Sequence, residues 1–174
     1  MEKKAPNMIL AVDVDYRDPG AMVAGVGFEN WSAPEPEQLY LSKIESTLAY
    51  ESGAFYKREL PCILTLIEEH KIEAELIVID GYVFLGGEQK PGLGAHLYSA
   101  LQQEVPIIGV AKKPFKDTPV EAELLRGKSI KPLYISSLGL PLPEAKNLVK
   151  KMHGDHRIPT LLKRVDRECR KSPR

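Results

Sequence analysis

Residues 8–16, Met8-Ile9-Leu10-Ala11-Val12-Asp13-Val14-Asp15-Tyr16, form an apolar run that ends in acidic residues. Branched apolar side chains over this length predict a buried strand. Arg17-Asp18-Pro19-Gly20 has the chemistry of a turn, and Ala21–Phe28 reads as a second strand, so the two predict a hairpin. Gln38–Leu41, beyond the proline-rich Ala33–Pro36, alternates apolar and polar residues as a third strand does. A helix is expected to open near Pro61, because proline is tolerated in a first turn. Glu75–Asp80 and Pro106–Ala111 are short apolar runs, the mark of strands covered on both faces. The glycine-rich segment Gly81–Gly94 reads as a flexible connection and Ala95–Gln103 as a helix. A short strand is expected at Leu133–Ser136, and closing helices at Pro143–Met152 and Leu161–Arg170. An antiparallel start followed by strand–helix–strand units predicts an α/β fold: a mixed central β-sheet with helices on both faces, the order of ribonuclease H-like folds.

The chain has 174 residues, which predicts one domain over 1–174 with about residues 172–174 as a frayed tail. Its 24 basic and 24 acidic residues cancel, so any contact with nucleic acid must be a local patch. From Arg157 onward seven Lys or Arg face two acids, which suits either a solvated helix face or a phosphate-facing surface. Cys62 and Cys169 sit in apolar-patterned segments and read as reduced thiols in or near the core. No apolar run follows Met1-Glu2-Lys3-Lys4, and none approaches the roughly 20 residues of a membrane span. The expectation is a cytoplasmic protein with no membrane partner, with a monomer favoured.

Asp13 is flanked by apolar strand residues, and Asp15 leaves the strand on the same face. Asp80 closes a fully apolar strand directly before Gly81. Burying an ionised carboxylate is costly without a cation or hydrogen bonds. Two strands that each end in such an Asp point to a shared cation, although either Asp alone could be a turn-capping residue. Oxygen ligands suit Mg²⁺ or Mn²⁺, and there is no zinc-type spacing of Cys and His. Glu59 stands near a helix start, where the helix dipole alone would favour it. Asp166 borders the apolar stripe of the last helix, where Arg170 at i,i+4 is its local explanation.

At this point the chain resembles the endonuclease V family, from about Met8 to about Arg167. Ala11–Tyr16 is similar to the family's first-strand segment. Ala49–Pro61 resembles its segment with a wedging tyrosine and a metal-binding Glu. Val78-Ile79-Asp80-Gly81 resembles the central VDG, and Gly92–Leu97 the GLASHL segment after it. Ile108–Lys113 is nearly identical to IGVAKK, and Arg157–Arg167 resembles the closing basic stretch. The resemblance implies that Asp13, Glu59, Asp80 and Asp166 bind Mg²⁺ or Mn²⁺, and that these four and Lys112 are catalytic. It implies that Tyr50 wedges into the nucleic acid. Lys57, Arg58 and His96 are further candidate contacts, with helix-end packing the favoured role for His96. The implied activity is hydrolysis of DNA or RNA near inosine, at the second phosphodiester bond 3′ to it, leaving 3′-hydroxyl and 5′-phosphate ends.

The chain departs from the family pattern at Tyr82, where the family has His, and at Val83, where it has Gly. Gly86-Gly87 replaces a His-Pro pair, and Ser137–Leu140 replaces a Gly-His-Arg segment. Metal chemistry is expected to be intact and base recognition altered. Two alternatives follow: a nuclease of changed base specificity, and a nucleic-acid-binding relative without catalysis.

Overall fold

The structure is a computed structural model that describes residues 8–17, 19–47 and 56–171. Strands β1 (Ile9–Arg17), β2 (Gly20–Phe28) and β3 (Gln38–Ile44) form an antiparallel meander. Helix α1 (Tyr56–Glu69) leads to β4 (Leu76–Asp80), and α2 (Leu93–Ala100) leads to β7 (Ile107–Ala111). Between β4 and α2 lies a two-stranded ribbon of β5 (Phe84–Leu85) and β6 (Lys90–Pro91). The short β8 (Glu123–Leu124) and β9 (Leu133–Leu138) complete the sheet, and α3 (Leu142–Lys150) and α4 (Thr160–Lys171) close the chain. The seven-stranded sheet has the order β3-β2-β1-β4-β7-β9-β8. β1, β4 and β7 run parallel to one another, and the rest pair antiparallel. This is a ribonuclease H-like α/β fold.

The period of two along β1 divides the interior into two cores. Ile9 and Ala11 meet Leu161, Val165 and Cys169 of α4 and Ala145 and Val149 of α3 on one face. Leu10 and Val12 meet Cys62, Ile63 and Leu66 of α1 and Leu97 of α2 on the other. Helices therefore cover both faces, as the apolar strands require. Both cysteines are free thiols buried in these cores. Among the described residues no helix is long and apolar enough to cross a membrane.

Several expected boundaries move. α1 opens at Tyr56 instead of Pro61, which puts Glu59 in its first turn instead of ahead of it. Pro61 lies inside the helix, where its ring is exposed and only one backbone hydrogen bond is forgone. Gly81–Gly94, expected as a flexible connection, holds the β5–β6 ribbon and the start of α2. A third strand expected to stop at Leu41 continues to Ile44.

Candidate active site

The parallel register sets the site. Val12 lies opposite Ile79, so Asp13 and Asp80 follow as the next residues on adjacent strands. Both share the face of Ala11 and Val78, the one covered by α4. Gly81, at φ +147°, then takes the chain out of the strand in a conformation that L side chains rarely adopt. Gly109 on β7 permits that exit, since a Cβ there would lie 2.5 Å from the Gly81 carbonyl oxygen. Asp80 pairs with Val110, which puts Lys112 two residues on, at the same end of the sheet. The Lys112 Nζ lies 3.8 Å from Asp80 Oδ2.

Two helices bring further acids. α4 buries Leu161, Val165 and Cys169 against the sheet, which carries Asp166 to the strand ends. Oxygens of Asp13 and Asp166 and the Cys169 Sγ all lie within 4.8 Å of one another. Arg17 fixes this helix to β1 by donating to the Cys169 carbonyl at 2.7 Å and the Arg170 carbonyl at 3.3 Å. It also pairs with Asp15 at 3.1 Å, so Asp15 serves that clamp while Asp13 faces the other acids. From the opposite face α1 contributes Glu59, which is only 5% exposed. Its Oε2 is buried with no hydrogen-bond partner among the described residues. A small cavity between Asp13, Asp80 and Lys112 is closed by Ile158, Leu162 and Val165.

The electrostatics are those of crowded acids that Lys112 and Arg170 offset only in part. Burial, then the Asp80 charge and a hydrogen bond with Asp166, push Asp13 up to about 8. Burial, then Asp13 and Asp80, push Glu59 up to about 8. Burial raises Asp80 as well, with Lys112 opposing. At Asp166 burial works against ionisation, but hydrogen bonds from Asp13 and Arg170 outweigh it and hold the group low. Asp13 is thus driven up and Asp166 down, and the two titrate as a pair. The Arg170 Nε lies 2.8 Å from Asp166 Oδ1, so the local i,i+4 pair and the contact with Asp13 exist together.

The other candidate contacts separate. Lys57 is exposed in the first turn of α1, while the Arg58 guanidinium sits 3.9 Å over the Tyr16 ring as a cation–π pair. His96 stacks on Tyr56 with centroids 3.6 Å apart and planes at 13°, and burial lowers its pKa. That contact joins α1 to α2. Tyr50 lies outside the described residues. Sequence reasoning missed Cys169 as a neighbour of the acids. Its signal was the i,i+3 spacing from Asp166, which puts the two on one helix face.

A ribonuclease H-like sheet with carboxylates gathered at the ends of its central parallel strands is one class of architecture in which nucleases are found. Within it, the description Endonuclease V matches residues 1–167, and the chain belongs to the endonuclease V family. It is 26% identical to the endonuclease V of Rippkaea orientalis over 92% of this chain and 78% of that one. The endonuclease V of Streptomyces avermitilis superposes with a TM-score of 0.75 at 25% identity, covering 97% of this chain and 82% of that one. Human ENDOV superposes at 0.73 with 22% identity, covering 95% and 83%. The family is one of nucleases that act on nucleic acid.

Proposed function

We propose that this protein is a Mg²⁺- or Mn²⁺-dependent endonuclease that hydrolyses DNA or RNA near a deaminated base, inosine. Cleavage falls at the second phosphodiester bond on the 3′ side and leaves 3′-hydroxyl and 5′-phosphate ends. The observation that carries this reading is the convergence of Asp13, Asp80, Asp166 and Glu59 from two strands and two helices. Four acidic groups outnumber Lys112 and Arg170 beside them, and a divalent cation would turn that field toward a phosphodiester. The buried, unpartnered Glu59 oxygen fits a cation ligand, and the oxygen donors suit a hard ion. Asp13, Glu59, Asp80 and Asp166 would hold it. When bound, the ion supplies Lewis-acid charge to the phosphodiester and makes water a stronger nucleophile.

The chain's own side chains do the rest. Lys112, 43% exposed beside Asp80, places a positive charge where a phosphate would lie. Arg170 keeps Asp166 ionised and oriented. Ile158, Leu162 and Val165 exclude water from one side of the acids. Tyr50, Lys57, Arg58 and His96 are the proposed nucleic-acid contacts, Tyr50 stacking at the step an extruded base vacates.

One observation favours the second reading, a changed base preference. The Tyr82 hydroxyl donates to the Lys113 carbonyl at 2.5 Å and accepts from the Phe115 amide at 3.2 Å. Its ring thereby occupies the rim of a cleft lined by Phe84, Gly86, Ser136 and Ser137. Nicking of inosine-containing and unmodified DNA and RNA, with and without Mn²⁺, tests both readings. Metal-dependent nicking confined to inosine strands supports the first. Equal rates on all strands replace it with the second, and binding without any scission overturns both.

A further inference from the structure

The oxygen donors and the thiol that crowd the α4 side of the site have different chemistry. Asp13, Asp166 and Cys169 place their donor atoms within 4.8 Å of one another. Cys169 is fully buried, and its thiol donates to the Asp166 carbonyl at 3.1 Å. Hard cations leave a thiol alone, but softer divalent ions select it. The other ligand-seeking group is the unpartnered Oε2 of Glu59, whose carboxyl lies within electrostatic reach of Asp13. The backbone is already braced: Arg17 holds the carbonyls of Cys169 and Arg170, so α4 presents both ligands from a fixed helix face.

We propose that Asp13, Asp166 and Cys169 form a site for a thiophilic divalent cation of the Zn²⁺ or Cd²⁺ class. Three protein ligands leave a fourth position for water or for Glu59. On binding, the Sγ–H bond gives way to an Sγ–metal bond, and the proton leaves to solvent. No electron is transferred. The site shares two carboxylates with the proposed Mg²⁺ set, so on that reading a thiophilic ion displaces the working cation and acts as an inhibitor. Cys62, the other buried thiol, lies in the opposite core and takes no part.

The test is titration of the full chain with Cd²⁺ alone, following thiolate-to-metal charge-transfer absorption in the ultraviolet. A saturable one-to-one band is expected in the wild type and in Cys62→Ala. In Cys169→Ser the band disappears, and apparent Cd²⁺ affinity falls by about tenfold or more. No band in the wild type, or a band that survives Cys169→Ser, overturns the proposal. Should Cys169→Ser not fold, Asp13→Asn decides: its apparent Cd²⁺ affinity must fall below that of the wild type, and an equal affinity sinks the site. Mg²⁺-supported nicking is scored separately. Nicking without a Cd²⁺ band leaves the nuclease standing and removes the thiol site, and a band without nicking does the reverse.

Discussion

The floor of the site and its rim are built in opposite ways. The floor is Asp13 and Asp80, placed by the register of two buried parallel strands, with Glu59 and Asp166 brought in by helices whose apolar faces are locked in the cores. The rim is the Tyr82–Gly92 ribbon, exposed over 87–91 although Val83 is buried, and the Lys113–Thr118 turn, the two linked by the Tyr82 hydroxyl. A substitution in the floor disturbs a charge that the whole sheet positions. One in the exposed 87–91 part of the rim changes a surface outside both cores. Chemistry held by register and specificity held by loops can therefore diverge independently.

If that division is right, the largest loss comes from the floor. Asp80→Asn should cut Mg²⁺-supported nicking by about 10³-fold or more, with an unchanged circular dichroism spectrum. Retained nicking would remove Asp80 from the mechanism.

The next effect is in stability. Asp13 and Glu59 rise from 3.8 and 4.5 to about 8 on folding, so between those values the folded state binds more protons than the unfolded chain. Stability of the metal-free protein should then fall as pH rises from about 4 to about 8. Saturating Mn²⁺ should cancel the fall, since cation and proton compete for the same oxygens. Asp13→Asn should reduce it in the metal-free protein, leaving the part due to Glu59. Melting temperatures across this range check the sign, and a metal-free protein that gains stability toward pH 8 contradicts it.

The rim should respond more mildly and in a different quantity. Tyr82→Phe removes the two hydroxyl hydrogen bonds and should shift the rate ratio of inosine to unmodified strands by less than about tenfold, leaving Mn²⁺ affinity unchanged. A loss of Mn²⁺ binding in this variant would erase the distinction between floor and rim. The smallest effect belongs to Lys57. Lys57→Ala should weaken nucleic-acid binding severalfold and lower the salt slope by about one, without sequence preference. An unchanged slope would make Lys57 a solvated surface charge.

The same contrast explains what could be read from the residues alone. Ile9–Val12 and Leu76–Ile79 announce buried strands, because only a covered strand tolerates such runs, and the acids that end them stand out. Glu59 and Asp166 do not stand out, since each has a sufficient local explanation. For Asp166 that explanation is present in full, as its pair with Arg170. Only a resemblance across the chain joined them to the strand acids. The β5–β6 ribbon was illegible because two residues per strand carry no period, and the start of α1 because a proline inside a helix looks like one at its beginning. Cys169 was legible as a core thiol and not as a neighbour of Asp13, because that proximity depends on how α4 crosses β1.

Mn²⁺ titration followed by electron paramagnetic resonance addresses the shared cation directly. Saturable binding is predicted for the wild type, with Asp13→Asn and Asp80→Asn each losing it though they sit on different strands. Mn²⁺ bound equally well by all three proteins, or by none, would mean that these carboxylates hold no common ion.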